Sequence, residues 1–458
     1  MRAQEPLPSN RITTAPNARR LGPRPAAVAW FEKLRLFSDE AWEPPVSGTP
    51  YEWSDRMGLV LPEASRRKKK KKKPEPGDEL SGFELLSPLL DLLSKLRDEK
   101  DAKRTFHFDH LASLLLLGYF NPVLETQRSL RAATDFPKVR RKLGIPRASQ
   151  GSLSAAQHAF DAELLAEIFQ ELLGSVPADK GDARLTQLKK VVTIADGTLL
   201  KALPRMVWAL WLPGGKNAAK AHVQFEPVKG LPCFADVTAG KASEREAFLK
   251  RLEAGRLYVM DSGYAAFKLF QAVIEAGSNF VVRLPAGWNY EVLEERPLTE
   301  LDREARVVRD VVVNLGSSTA SSALKQPVRL VEIQRVDEPS KRMRAERGVR
   351  DTIVLVTDRL DLPADLIAHI YAARWQIEIF FRWLKCTIGC KHLVFESPNG
   401  VALQLYCALL ACLLISLWTG RKPNKRMYEA LCLYFQGWAD LEDVMALAGS
   451  LPRHKAPA

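Results

Sequence analysis

The sequence predicts an α/β protein in which a mixed sheet is flanked by helices and extended by a β-rich insertion. Three observations carry that prediction. Between residues 187 and 284, runs rich in β-branched residues follow the order three strands, helix, strand, helix, strand, a mixed layer pattern. Residues 285–350 return to strand runs separated by polar turns. Leucine periodicity of the helical kind dominates before and after.

Residues 1–79 are Pro-rich and patchily charged. They include eight consecutive cations, Arg66 to Lys73, before Pro74-Glu75-Pro76-Gly77, so a disordered or poorly ordered basic segment ending in a linker is expected. Residues 80–186 read as a helical region, with Leu89, Leu90, Leu93 and Leu96 on one stripe and Leu111, Leu114, Leu115 and Tyr119 on another. Within it Arg131, Lys138, Arg140, Arg141 and Lys142 precede Pro146 and the serines Ser149 to Ser154. A basic helix, a turn and a Ser-capped helix suits DNA contact through Arg140 and Arg141, and a solvated helix face has the same pattern.

Strands are predicted at Val191–Ala195, Val207–Leu212, Ala221–Val228, Leu257–Met260 and Asn279–Leu284, with helices at Ser243–Ala254 and Phe267–Ala276. The insertion, 285–350, has strand runs at Val307–Val313 and Val328–Val336 and a basic stretch, Lys341, Arg342, Arg344, Arg347 and Arg350. That stretch suits either a DNA backbone or a solvated hairpin tip. The core then resumes over 351–395, and 396–458 read as a C-terminal helical region.

The chain of 458 residues carries a net charge of +13, which suits a polyanionic partner, although eight of those cations form a single run. Six cysteines are too few for a disulfide scaffold. Cys386, Cys390 and His392 have the look of half a zinc site, but no second pair completes tetrahedral spacing, so buried or helix-end thiols are expected. Met1 to Arg24 is polar and shows no secretory signal. Val401 to Trp418 is free of formal charge over 18 residues, long enough to propose a membrane span. Gln404 and Ser416 interrupt it, and the expectation is a buried helix with no membrane partner.

Two aspartates occupy matching positions. Asp196 is expected to end the strand VVTIAD before Gly197, and Asp261 to end LYVMD before Ser262-Gly263-Tyr264. Carboxylates at strand ends sit at a sheet rim, where ligands bind in α/β folds. The segment YAARWQIEIFFRWLK, Tyr371 to Lys385, is expected to form one helix. On it Arg374, Glu378, Arg382 and Lys385 share a stripe beside the apolar Ile377, Phe380, Phe381 and Leu384. An ordinary i, i+4 salt bridge on a solvated face also accounts for Arg374 and Glu378. Asp236, Asp351 and Asp358 read as turn and cap residues, and His222 as a core histidine. Trp288, in PAGWNY, suits either core packing or stacking on an extruded base.

The spacing Tyr-x2-Arg-x3-Glu-x6-Lys, with D-G-T at Asp196 and D-S-G-Y at Asp261 in that order, resembles the signature of DDE transposases of the insertion-sequence-four family. The resemblance covers about residues 80 to 445, including GWAD at Gly437 to Asp440, and leaves out residues 1–79. It implies an RNase H-like core in which Asp196, Asp261 and Glu378 hold two Mg²⁺ ions, with Mn²⁺ as a substitute. It implies that Tyr371, Arg374 and Lys385 contact transposon-end phosphates, and that a homodimer joins two ends and transfers 3′-hydroxyls into target DNA. The expected setting is a bacterial cytoplasm, at the nucleoid. Two ions about 3.5 to 4 Å apart suit in-line displacement at phosphorus, and Mg²⁺ prefers carboxylate oxygens. The alternatives are an RNase H-like nuclease that cuts without joining, or an inactive domesticated relative that only binds DNA.

Overall fold

The computed structural model describes residues 92–93, 104–174, 176, 182–202, 206–212, 216–316, 324–335, 352–389, 392–419 and 422–450. All of them belong to the unit Lys70–Ala458. The run Arg66–Lys73, the basic stretch 341–350 and Cys390 lie outside the described residues.

Helices α1 (Phe108–Tyr119), α2 (Gln127–Ala133), α3 (Pro137–Leu143), α4 (Gln150–Ala159) and α5 (Ala162–Gly174) form the first region, and the single turn α6 (Ala183–Thr186) leads into the sheet. The expected basic helix, turn and capped helix is present. Pro137 opens α3, Gly144 closes it in the left-handed region, and the Ser149 hydroxyl accepts from the Ser152 N–H to cap α4.

The Val191-Val192-Thr193-Ile194 run forms the start of the central strand β1 (Val191–Lys201). A short β2 (Leu210–Leu212) precedes β3 (Lys216–Glu226), which pairs antiparallel with β1 and, on its other edge, with β4 (Leu231–Ala239). After α7 (Glu244–Leu249), β5 (Arg256–Met260) pairs parallel with β1. After α8 (Phe267–Glu275), β6 (Asn279–Leu284) pairs parallel with β5. The order β4-β3-β1-β5-β6, antiparallel on one side of β1 and parallel on the other, is that of an RNase H-like core. β4 went unpredicted, and Asp236 is a residue inside it, not a turn residue. It pairs across from His222.

The insertion continues this same sheet. Beyond β6 lie β10 (Thr352–Thr357), β9 (Val328–Gln334), β8 (Val307–Leu315) and the edge strand β7 (Tyr290–Glu295), each antiparallel to its neighbour, with the short α9 (Glu300–Glu304) between β7 and β8. Arg329 and Asp310, both buried, form a two-pronged pair at 2.6 and 2.6 Å within it. Asp358 follows β10 and fastens it to β6 by accepting from the Phe280 N–H at 2.9 Å and the Asn279 amide at 2.6 Å.

One face of the sheet packs on α7 and α8, where Phe270 stacks on Phe280 and Phe248 meets Tyr258 edge-on. The other carries α10 (Ala364–Ala372), α11 (Trp375–Cys386) and α12 (Pro398–Thr419), followed by α13 (Lys425–Phe435) and α14 (Leu441–Ser450). In α12 the stretch Pro398–Leu417 is long and apolar enough to cross a membrane, but 89% of its apolar window is buried in the protein. Two of its polar side chains are used internally: Gln404 donates to His392 O and accepts from the Val394 N–H, and the Tyr406 hydroxyl donates to Ala235 O. The expected buried helix is what is observed.

Candidate active site

Asp196 does not end its strand. β3 pairs with β1 from Ile194 to Lys201, so cross-strand hydrogen bonds carry the chain past Gly197, while β5 pairs with β1 only from Val191 to Ile194. Beyond Ile194 the β5 edge of β1 is therefore open, and Asp261 is the first residue after β5. Two carboxylates 65 residues apart in sequence thus flank the notch where the parallel strands part.

Each is set by a neighbouring glycine. Asp196 Oδ1 accepts from the Gly197 N–H at 2.8 Å, and Asp261 Oδ1 accepts from the Gly263 N–H at 2.7 Å as it caps the turn Ser262–Tyr264. A side chain at Gly197 would bring Cβ within 3.0 Å of Glu244 Oε1, so glycine there leaves room for Glu244, which pairs with Lys220 at 3.0 Å. Burial pushes the Asp196 carboxyl up to about 7; the Gly197 N–H opposes the rise, the Asp261 charge adds to it, Arg374 opposes and Glu244 adds.

The expected single helix Tyr371–Lys385 is broken. Tyr371 lies in α10, and the chain turns at Ala373 and Arg374 before α11 begins at Trp375. The two pieces serve different surfaces: α10 packs on β6, β8 and β9, and α11 packs on β1. Within α11 the predicted apolar stripe holds, with Ile377, Phe380, Phe381 and Leu384 buried. Phe380 meets Phe225 of β3 at 5.4 Å. This packing aims the polar stripe at β1. Arg374 donates through Nη2 to Glu378 Oε1 at 2.5 Å and through Nη1 to Asp196 Oδ2 at 3.5 Å, so one guanidinium bridges two of the acids. It also lies over the Tyr371 ring at 5.9 Å, whose hydroxyl is pushed up mainly by burial. Lys385 Nζ donates to Thr198 Oγ1 at 2.9 Å, two residues past Asp196. The i, i+4 salt bridge exists, but its arginine reaches the sheet as well.

The other candidates lie elsewhere. Trp288 packs against Phe267 at 4.6 Å and Phe270 at 6.0 Å, on the α8 flank of the core. Arg140 Nη1 donates to the carbonyls of Thr134 and Asp135, closing the end of α2, and Arg141 is exposed. His222 is 7% exposed, with Nε2 at 2.7 Å from Thr238 Oγ1, as a core histidine. Two residues near the site, Glu244 and Trp375, escaped sequence reasoning. Glu244 was hidden because it is brought in by a turn from another element, and only its place after Ser243 at a helix start marks it. Trp375, 53% exposed, and Arg382, also exposed, lie on the outer side of α11. The wheel that placed Glu378 contains both.

The donor chemistry of Asp196, Asp261 and Glu378 fits a hard divalent cation: three carboxylates, no thiolate and no imidazole. Among the described residues no three acidic, histidine or cysteine side chains are drawn close enough to hold an ion as they stand, and the guanidinium of Arg374 lies between two of the three acids.

Residues 187–414 match the transposase DDE domain family. A protein named as a transposase, y4zB, of Sinorhizobium fredii (strain NBRC 101917 / NGR234) is 28% identical over 254 residues, 55% of this chain and 67% of that protein. One named as a transposase for insertion sequence element IS5377 of Geobacillus stearothermophilus is 23% identical over 370 residues, 79% of this chain and 91% of its own. One named as a transposase for element IS4SA of Synechocystis sp. (strain ATCC 27184 / PCC 6803 / Kazusa) is 35% identical over 51 residues, 11% of this chain and 15% of its own. The solved piggyBac transposase synaptic complex with hairpin DNA aligns at a TM-score of 0.39 and 10% identity over 82% of this chain and 83% of that one, too distant to carry an argument. Through residues 187–414 the chain belongs to the DDE-domain transposases, and its function is DNA transposition.

Proposed function

We propose that Asp196, Asp261 and Glu378 are the catalytic carboxylates of this transposase and that they hold two Mg²⁺ ions, with Mn²⁺ able to substitute. The single observation that supports this is the convergence of Asp196 and Glu378, from β1 and α11, on one guanidinium beside Asp261. When bound, the ions would supply charge neutralisation for the attacking and leaving oxygens of an in-line displacement at phosphorus. The chain's own residues do the rest. The three carboxylates fix the reaction at the notch between β1 and β5. Arg374, with a planar fork, and Lys385, with a point charge, would bind backbone phosphates of the transposon end. Tyr371 backs Arg374, and exposed Trp375 and Arg382 extend the same DNA-facing surface along α11.

The substrate in this reading is a transposon end, cut by water, whose 3′-hydroxyl then attacks target DNA. The α3–α4 pair would meet DNA through Arg141 and the Ser149-capped start of α4, with Arg140 serving as a cap of α2. Synapsis by a homodimer and action in a bacterial cytoplasm belong to the same proposal.

The test is nicking of a duplex carrying the element's end, with Mg²⁺, alongside a gel-shift assay. Asp196→Ala, Asp261→Ala and Glu378→Ala should each abolish nicking while leaving affinity largely intact, because affinity comes chiefly from phosphate contacts. Normal nicking in any one variant would remove that residue from the site.

A further inference from the structure

We infer that Arg374 is a two-position side chain: without metal it bridges Asp196 and Glu378, and a divalent cation must displace it before it can grip DNA. The inference rests on the proposed metal role of those carboxylates. It goes further by coupling metal binding to DNA binding through one residue.

The geometry is specific. Nη1 faces Asp196 Oδ2 at 3.5 Å and Nη2 faces Glu378 Oε1 at 2.5 Å, so the planar cation occupies the gap between two oxygens that an ion shared by both acids would need. The nearby lysines are committed elsewhere. Lys220 pairs with Glu244 at 3.0 Å and Lys385 donates to Thr198 at 2.9 Å. A guanidinium beside a divalent ion is a like-charge juxtaposition in a partly buried site, where screening is weak. Both cannot sit between the same carboxylates. The displaced guanidinium keeps its fork, which matches a phosphate. Its place after the break between α10 and α11, at the first turn of the helix, leaves it beside the notch where DNA would lie. DNA that captures the released side chain would therefore tighten metal binding, and by reciprocity metal would tighten DNA binding.

The experiment measures Mn²⁺ binding to the full-length chain by the electron paramagnetic resonance signal of the free ion, with and without an end-containing duplex. Arg374→Gln should bind Mn²⁺ about tenfold more tightly than wild type without DNA, within the usual range of such couplings. DNA should tighten Mn²⁺ binding by wild type about as much, and by the variant far less. Arg374→Lys keeps a charge that cannot span both acids, so it should fall between the two, and it carries the test if Arg374→Gln does not fold. Equal Mn²⁺ affinity in wild type and the Arg374 variants, including no binding by either, overturns the inference. An equal effect of DNA on wild type and variant also overturns it. Asp196→Asn separates this from the parent reading: it should lose Mn²⁺ binding, and if it binds like wild type the metal-site assignment itself falls.

Discussion

Replacing Asp196 by Asn should make the metal-free protein more stable while removing its activity. The Asp196 side chain is 18% exposed, and burial with the nearby Asp261 charge pushes its carboxyl from an ordinary 3.8 up to about 7. The folded state then holds the proton more tightly than the unfolded state. Stability therefore falls as pH rises from 3.8 to about 7 and stays at that lower level above it. At full strength the penalty is on the order of 4 kcal/mol. Residual exposure and local relaxation reduce it, and we expect about 1–2 kcal/mol, seen as a melting point about 2–4 °C higher in Asp196→Asn. Asn still accepts from the Gly197 N–H, and Arg374 keeps Glu378 as its partner, but the amide turns an NH2 toward Arg374 Nη1 in place of Oδ2, which offsets part of the gain. The assay is a pair of melting curves in EDTA. The gap should be largest near about pH 8, shrink to less than half near about pH 4.5, and narrow when Mg²⁺ is added to wild type at the higher pH. A variant that melts no higher than wild type near about pH 8, or a gap independent of pH, refutes the reasoning.

Further expectations concern single side chains. Thr198→Val removes the acceptor of Lys385 Nζ and should cost about 1 kcal/mol of stability with near-normal nicking, whereas Lys385→Ala should impair nicking; equal loss of nicking in both would make Lys385 a tether of α11. Gly197→Ala should push Glu244 off Lys220, at a cost of about 1 kcal/mol or less for this partly exposed pair, read as a small drop in melting point. Arg140→Met should lower the melting point by uncapping α2, while Arg141→Ala should weaken DNA binding with the melting point unchanged. Deleting Arg66–Lys73 should weaken binding to all DNA alike and flatten the slope of log K against log salt, by about 0.9 for each phosphate that the run neutralises.

Much of this molecule is local in origin. The β-branched run at Val191–Ile194, the apolar Leu257–Met260 and Asn279–Leu284 made β1, β5 and β6 readable, because a strand buried on both faces needs an uninterrupted apolar run. The Tyr371-to-Lys385 spacing, with the two aspartates that precede nearby glycines, was readable from local pattern alone, since a wheel and a short motif need only near neighbours. What the sequence could not contain is who lies across. β4 escaped with Asp236 read as a turn residue, while β3 supplies the partner that holds this segment extended. The strand through Asp196 runs on to Lys201 for the same reason, and the insertion is the outer half of the core sheet because β10 found β6. Arg140 and Trp288 each had two readings in the sequence, and tertiary packing gives Arg140 the carbonyls at the end of α2 and sets Trp288 against the α8 flank. Arg374 and Asp196 are 178 residues apart. Only the packing of α11 on β1 brings a guanidinium between the two acids, because long-range hydrogen bonding and burial, not local propensity, decide which side chains share a site.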